Sequence, residues 1–233
     1  TVTITDDDVA ELSIVATTQA AEDATDGLFT ITTTKQFDAP VTVTFARTGT
    51  ASSAADFTAI GTTVVFPALS NTVTIPVEVI ADNIVESDET VIVTMTATSN
   101  TDVSVAASPN EHATVTITDD DVAELSIATT TQAAEDATDG LFTITTTKQF
   151  DAPVTVTFAR TGTATSATDF TAIGTTVVFP ALSNTVTIPV EVIADNIVES
   201  DETVIVTMTA TSNTDVSVAA SPNEHATVTI TDD

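Results

Sequence analysis

The amino-acid sequence repeats itself with a period of 113 residues, and this repetition limits the possible folds more than any other feature. Residues 1–8 recur as residues 114–121, and the match continues to the end of the chain with only four differences. The period is much longer than the roughly 20–50 residues of solenoid repeats. Since about 100 residues are enough to bury an independent core, the sequence predicts two near-identical domains.

The repetition also predicts the domain boundaries. Residues 1–8 match the end of a repeat, so we assign them to the tail of a preceding repeat. Domain 1 then spans residues 9–121, and domain 2 spans residues 122–233. The second repeat ends at Asp233, one Asp short of the triplet in residues 119–121, which predicts that the chain is a piece of a longer array.

The start of the chain duplicates a strand that domain 1 already contains. Residues 114–118 have the sequence of residues 1–5 and are expected to form the last strand of domain 1. We therefore expect residues 1–5 to be extended and to lie outside the sheets of that domain. Exchange between the two identical segments is a route to domain swapping.

Apolar and polar residues alternate in seven short stretches of each repeat, and no apolar pattern has helical spacing. Thr, Val, Ile and Phe, which favour strands, dominate these stretches. The pattern predicts an all-β fold of two tandem immunoglobulin-like antiparallel β-sandwiches, about seven strands each, joined end to end by a very short linker. Pro76 cannot donate to a ladder, so its strand is expected at an edge or a bulge. One inward row is expected to contain Val91, Val93, Met95 and Ala97.

The charge of the chain is strongly one-sided, with 34 acidic residues, four Lys and Arg residues and a net charge of −30. Nucleic acids and anionic membranes are bound by clustered cations, so neither is an expected partner. No apolar run approaches the about 20 residues of a membrane helix, so direct membrane insertion is not expected. The chain contains no Cys, which excludes disulfides and thiol chemistry.

Carboxylates concentrate in four places of each repeat, which in the first repeat are Glu22, Asp56, residues 82–86 and residues 119–121. All four lie in loops or at strand ends, and the loops of a sandwich collect at two poles. Two carboxylates about 4 Å apart repel by roughly 4 kcal/mol at a surface dielectric of about 20. Gathered at one pole, these groups would need a cation such as Ca²⁺, which takes about six to eight oxygen ligands. Solvated turns are the alternative explanation.

Four motifs follow one another in the same order in each repeat. They are a loop Glu, Gly-Thr-Ala followed by Asp-Phe, Val-Ile-Ala-Asp-Asn-Ile-Val-Glu-Ser-Asp-Glu, and a terminal Val-Thr-Ile-Thr-Asp-Asp with a third Asp in the first repeat. This set resembles the Calx-β domain, and the resemblance covers both repeats nearly end to end. It implies a seven-stranded sandwich that holds Ca²⁺ at one pole. Such domains occur in sodium–calcium exchangers, in an integrin subunit and in very large bacterial surface proteins.

The resemblance also implies a set of Ca²⁺ ligands. In the first repeat the implied ligands are Glu22, Asp56, Asp82, Glu86, Asp119, Asp120 and Asp121, with the backbone carbonyl of Ile84. In the second repeat they are Glu135, Asp169, Asp195, Glu199, Asp232 and Asp233, with the backbone carbonyl of Ile197. Glu89, in contrast, is expected to be a solvated or turn residue.

This sequence departs from the family pattern in two ways. Ala81 and Ala194 occupy a position that is acidic in the exchanger-type loop, which affects the expected number of ions. The second repeat lacks the third terminal Asp, so weaker or incomplete binding is expected there.

The expected function is that of a calcium-binding, calcium-rigidified extender or stalk repeat in a large exported cell-surface protein or adhesin. This places the protein outside the cell, on a bacterial surface, with neighbouring identical repeats as partners and any surface ligand bound by other domains. A calcium-sensing regulatory module and an ice- or glycan-binding β-sandwich, which would use outward rows of Thr, are alternatives. An enzyme is not expected, because the chain has no Trp or Tyr to line a substrate cleft.

Overall fold

A computed structural model describes Val2 and residues 7–232 of the chain. The prediction for residues 1–5 lies outside these residues, except at Val2, which is exposed. Every regular element in the described part of the chain is a β-strand, and no helix there is long and apolar enough to cross a membrane.

The strands are short and follow one another in nearly the same order in both repeats. Those of the first repeat are β1 (Ala10–Thr18), β2 (Ala20–Ala21), β3 (Gly27–Thr33), β4 (Val41–Thr48), β5 (Thr63–Phe66), β6 (Thr72–Val77), β7 (Ile84–Val85), β8 (Glu89–Thr98), β9 (Val103–Val105) and β10 (His112–Thr118). Those of the second repeat are β11 (Ala123–Thr131), β12 (Ala133–Ala134), β13 (Gly140–Thr146), β14 (Gln149–Phe150), β15 (Val154–Thr161), β16 (Thr176–Phe179), β17 (Thr185–Val190), β18 (Glu202–Thr211), β19 (Val216–Val218) and β20 (His225–Thr231).

These strands form two compact units. Unit 1 comprises residues 1–82 and 87–120, and unit 2 comprises residues 83–86 and 121–233. In unit 1 a four-stranded sheet has the order β6-β3-β1-β9, and a five-stranded sheet has the order β2-β10-β8-β4-β5. Unit 2 contains the equivalent sheets, β17-β13-β11-β19 and β12-β20-β18-β15-β16, and a two-stranded sheet, β14-β7. The predicted all-β fold of two immunoglobulin-like sandwiches is confirmed.

The alternating pattern explains the core of each unit, because side chains of a strand point to opposite faces in turn. In unit 1, Leu12 and Phe29 of one sheet and Val43 and Val93 of the other are completely buried in one cluster. Pro76 lies on β6, the edge strand of its sheet, so the expectation for this residue is confirmed.

The expected inward position of Ala97 is wrong, because Ala97 is exposed. Thr44 pairs with Ala97, but the next residue, Phe45, pairs with Met95. This β-bulge gives β8 one extra residue, which moves the side chains beyond it to the other face.

The strand switch between β1 and β2 matters most for the acidic residues. β1 pairs with β3 in the four-stranded sheet, with a register shift between Ala16 and Thr18. The chain then crosses to the other sheet, where β2 runs parallel to β10, with Ala20 opposite Ile117 and Ala21 opposite Thr118. The residues that follow β2 and β10 therefore emerge at the same end of the sandwich.

Candidate metal centre

Glu22 and Glu135 are buried carboxylates that lie beside the acidic ends of the last strands. The Glu22 N–H donates to the Thr118 carbonyl over 3.1 Å, and the Glu135 N–H donates to the Thr231 carbonyl over 3.0 Å. Only 4% of Glu22 is exposed, and its Oε2 atom is buried without a hydrogen-bond partner. The main-chain N–H of Asp82 donates to the same carboxylate. A buried carboxylate oxygen without a partner is costly and is a natural ligand for a cation.

Asp169 is held in place by the loop that precedes it and by the loop of residues 193–195. Its carboxylate accepts a hydrogen bond from the Thr165 N–H, and its carbonyl accepts one from the Ile193 N–H over 3.0 Å. The second bond brings the Asp195 loop to the side of Asp169. Asp56 makes the equivalent bonds in the first repeat, to the N–H groups of Ser52 and Ile80.

The loop of residues 195–199 is tied to the end of β20 in unit 2. The Ile197 N–H donates to Oδ1 of Asp195 over 2.6 Å, and the Glu199 N–H donates to Oδ2 of Asp232 over 3.1 Å. The predicted ligands Asp195 and Glu199, which belong to one loop, therefore lie close to Asp232, which is distant in sequence.

Glu202 also belongs to this group, although it is not among the ligands predicted from the sequence. Carboxylate oxygens of Asp169, Glu199 and Glu202 lie within 4.8 Å of one another. Glu89 is half-buried at the start of β8, and carboxylate oxygens of Asp56 and Glu89 lie within 4.8 Å of each other in unit 1, so the expectation that Glu89 is a solvated or turn residue is wrong. The reason is the strand register, because Glu202 stands opposite Ile230, next to the end of β20.

Burial, hydrogen bonding and neighbouring negative charges together raise the pKa values of several of these carboxyl groups. Burial, opposed by the Asp82 N–H and reinforced by the charges of Asp119, Asp82 and Asp120, raises the pKa of Glu22 to about 7. A hydrogen bond to Asp169, followed by burial, raises the pKa of Glu202 to about 7.

Two further residues of unit 2 show the same direction of shift. Burial and the charges of Asp195, Asp232 and Glu199 raise the pKa of Glu135, in spite of a hydrogen bond from the Asp195 main chain. Burial and the charges of Asp169, Asp195 and Asp232 raise the pKa of Glu199. Each of the five predicted carboxylate ligands that the structure describes in the second repeat is therefore linked electrostatically to at least one other of the five.

Some predicted ligands occupy other environments. Asp121 belongs to unit 2, where one carboxylate oxygen pairs with the Lys148 ammonium and Oδ2 is buried without a hydrogen-bond partner. Asp120 is exposed but contributes to the raised Glu22 pKa. Ile84 is half-buried in β7, whereas Ile197 is 63% exposed and in no strand. Asp233 lies outside the described residues.

The residues present fit Ca²⁺. The donors of the cluster are carboxylate oxygens, which suit hard cations with oxygen ligands rather than metals that prefer thiolate or imidazole. The buried Oε2 atom of Glu22 has no hydrogen-bond partner, and four carboxyl groups have raised pKa values. A bound divalent cation would provide a partner for this oxygen atom. Its positive charge would also lower the pKa values of the four carboxyl groups.

Fold and site together define a class of protein: tandem β-sandwich modules, each with an oxygen-rich acidic site at one end. The Calx-beta domain matches residues 6–121 and 125–233, and the chain belongs to this family. Calx-beta domains bind calcium and are non-catalytic. No curated protein sequence matches the chain.

Several solved structures are similar to the chain at low sequence identity. CBD12 from CALX1.2 is 18% identical, with a TM-score of 0.41, and the match covers 94% of this chain and 99% of that one. The apo-form Calx CBD1 domain is 22% identical, with a TM-score of 0.41 and coverage of 48% and 99%. The adhesin InvE of Yersinia pseudotuberculosis is 14% identical, with a TM-score of 0.42 and coverage of 94% and 58%.

Proposed function

We propose that each repeat binds Ca²⁺ and that the pair serves as a calcium-rigidified extender of an exported cell-surface protein or adhesin. The observation that carries the calcium site is the group of carboxylates in unit 2: Glu135, Asp169, Asp195, Glu199, Glu202 and Asp232. Family membership supports the same ion. The proposed domains are residues 9–121 and 122–233.

In the second repeat the side chains of these six residues hold the ion, with Asp233 and the Ile197 carbonyl as further ligands. In the first repeat the ligands are Glu22, Asp56, Asp82, Glu86, Asp119, Asp120 and Asp121, with Glu89 added and with the Ile84 carbonyl. The ion supplies positive charge that offsets the mutual repulsion of the carboxylates. The hydrogen bonds of Thr165 and Ile193 to Asp169 orient one ligand before the ion arrives.

The proposed role as an extender rests on the near-identity of the two repeats. The copies differ at only four positions, and repetition without divergence adds length rather than new recognition. A net charge of −30 keeps such a chain soluble and repels other copies. Neighbouring identical repeats are the proposed partners, a bacterial surface is the proposed location, and other domains would bind any surface ligand.

The test combines calcium titration with small-angle scattering of the 233-residue chain. We expect saturable binding in calorimetry and a scattering profile that fits a single stiff particle in Ca²⁺ but a distribution of shapes in chelator. A Glu22→Gln, Glu135→Gln variant serves as the control with impaired sites. Calcium binding without a change in the spread of shapes would contradict the extender role and favour a calcium sensor. Absence of binding would contradict both.

A further inference from the structure

The first two strands of each repeat run parallel to its last two strands. In the first repeat, β1 pairs with β9 and β2 pairs with β10. In the second repeat, β11 pairs with β19 and β12 pairs with β20. The other strand pairs of the four- and five-stranded sheets are antiparallel. Within these sheets, parallel pairing therefore marks the strands through which the chain enters and leaves a repeat.

The hydrogen bonds show that the two segments keep the same direction along their whole contact. The Ala10 N–H donates to the Asp102 carbonyl over 2.9 Å, and the Ile14 N–H donates to the Asn110 carbonyl over 3.0 Å. Further along, β2 lies beside the end of β10. The partners thus advance together in sequence, so residues 10–22 follow the last part of the repeat from one end of the sandwich to the other.

Three hydrogen bonds join the segment around β2 to β10. The Glu22 N–H donates to the Thr118 carbonyl over 3.1 Å, and the Thr118 hydroxyl donates to the Ala20 carbonyl over 3.3 Å. The Thr116 N–H donates to Oε1 of Gln19 over 2.6 Å. The side chain of Gln19 therefore adds a bond to the parallel pair beyond those of the main chain.

The second repeat contains the same contact. The Thr229 N–H donates to Oε1 of Gln132 over 2.6 Å. Ala133 of β12 and Ile230 of β20, which face each other, are both buried. Burial keeps water away from the hydrogen bonds around these residues, so water cannot easily replace a bond that is stretched.

The direction of the strands decides how this contact responds to tension. The chain enters a repeat at the start of its first strand and leaves it at the end of its last strand, so tension pulls the two parallel segments past each other. Hydrogen bonds of a parallel pair are evenly spaced along the strands and cross between them. The force therefore strains these bonds together, in shear. Strands that are peeled apart from one end would instead lose their bonds one at a time.

We propose that the contact of β1 and β2 with β9 and β10, and of β11 and β12 with β19 and β20, is a load-bearing clamp. Its function is to let each repeat carry tension along the chain without unfolding. This function goes beyond the proposed extender role, which concerns length and stiffness, and it does not rest on calcium binding.

Force spectroscopy tests the clamp. The 233-residue chain is tethered at its two ends and held at constant force in chelator, and the time to each unfolding event is measured. The double substitution Gln19→Ala, Gln132→Ala removes one hydrogen bond across the contact in each repeat. We expect each repeat of this variant to unfold about fivefold faster at the same force, because forced unfolding is governed by the unfolding barrier and the lost bond contributes to that barrier.

The matched control is Ser99→Ala, Ser212→Ala. Each Ser Oγ atom accepts a hydrogen bond from a strand N–H over 2.9 Å, but neither bond involves the first or the last strands of a repeat. We expect the control to unfold under force at the rate of the unmodified chain, although both variants should lose similar stability in denaturant. Equal acceleration of the two variants, or no acceleration of the Gln variant, would overturn the proposal.

A second variant keeps the test decisive if the Gln substitutions disturb folding. Thr118→Val, Thr231→Val keeps the shape and the strand propensity of the side chain but removes the hydroxyls that donate to the carbonyls of Ala20 and Ala133. It should also unfold faster under force, and an unchanged rate would overturn the proposal. Because calcium is absent throughout, a failure here leaves the calcium site untouched, and calcium titration of the unmodified chain reports that site separately.

Discussion

The carboxyl groups of Asp169 and Glu202 share a hydrogen bond at one end of unit 2. Two carboxyl groups can share such a bond only when one of them carries a proton. This bond, followed by burial, raises the pKa of Glu202 to about 7. A bound cation would remove the need for that proton, so protons and calcium are expected to compete for the same oxygens.

In the absence of calcium, the protein should lose stability as the pH rises. The folded-state pKa values of Glu22 and Glu202 are about 7, above the ordinary value of 4.5. The folded state therefore holds these protons more tightly than the unfolded state. The stabilisation is complete below about pH 4.5 and is lost as the pH passes about 7. Melting temperatures in chelator should fall across this window, and less steeply for Glu22→Gln, Glu202→Gln chains. An unchanged slope would contradict the assignment.

Glu202→Gln should impair calcium binding in the second repeat only. The amide side chain can still donate a hydrogen bond to Asp169, but the substitution removes one negatively charged oxygen ligand. A hydrogen bond to a charged group contributes about 1.5–3 kcal/mol, and we expect the loss of a charged ligand to cost a similar amount. We expect a loss of about tenfold or more in affinity, measured by calorimetry, with the first repeat unaffected. Glu89→Gln should show the reverse pattern. Glu191→Gln, at an exposed position, is the control and should bind as the unmodified chain does.

Lys148→Met should destabilise unit 2 more than Lys35→Met destabilises unit 1. Asp121, the partner of Lys148, is only 6% exposed, whereas Asp8, the partner of Lys35, is 67% exposed. An unpaired buried carboxylate costs several kcal/mol and an exposed pair contributes about 0–1 kcal/mol. Because Lys148 is itself 31% exposed, we expect about 2 kcal/mol for its loss after solvent screening. Denaturant unfolding of both variants checks the difference, and equal losses would contradict it.

Gly49→Ala should destabilise the protein, whereas Gly61→Ala should not. Gly49 has a φ of +124°, and an added Cβ would lie 2.0 Å from the Thr90 carbonyl oxygen. An added Cβ at Gly61 would meet no atom within 4 Å. Strain in such backbone regions costs about 1–3 kcal/mol before the clash is counted. Thermal unfolding of the two variants is the measurement, and a stable Gly49→Ala chain would show that this loop adapts freely.

The strands that alternate clearly were predictable from the sequence, and the short ones were not. Strands β2, β7 and β9 contain two or three residues each, too few to show a period. The parallel pairing of β2 with β10 nevertheless decides where Glu22 lies. Ala97 was misplaced because a bulge leaves no mark in a run of alternating residues.

Among the acidic residues, those in local sequence motifs were predictable, whereas those placed by tertiary contacts were not. The motifs selected Glu135, Asp169, Asp195, Glu199 and Asp232, which the fold brings together. They did not select Glu202, because its place depends on the pairing of β18 with β20. The ion pair of Asp121 with Lys148 was also missed, since the two residues meet only when unit 2 has folded.

Thermal unfolding with calcium and with chelator tests the calcium site most directly. A cation that binds only the folded state should add about 2.7 kcal/mol of stability at a free concentration about 100 times Kd. For domains of this size each kcal/mol raises Tm by about 4–8 °C. We therefore expect Tm to rise by about 10 °C or more in Ca²⁺ for the unmodified chain, and by much less when Glu22, Glu89, Glu135 and Glu202 are all changed to Gln. An identical Tm in saturating Ca²⁺ and in chelator would contradict the calcium site.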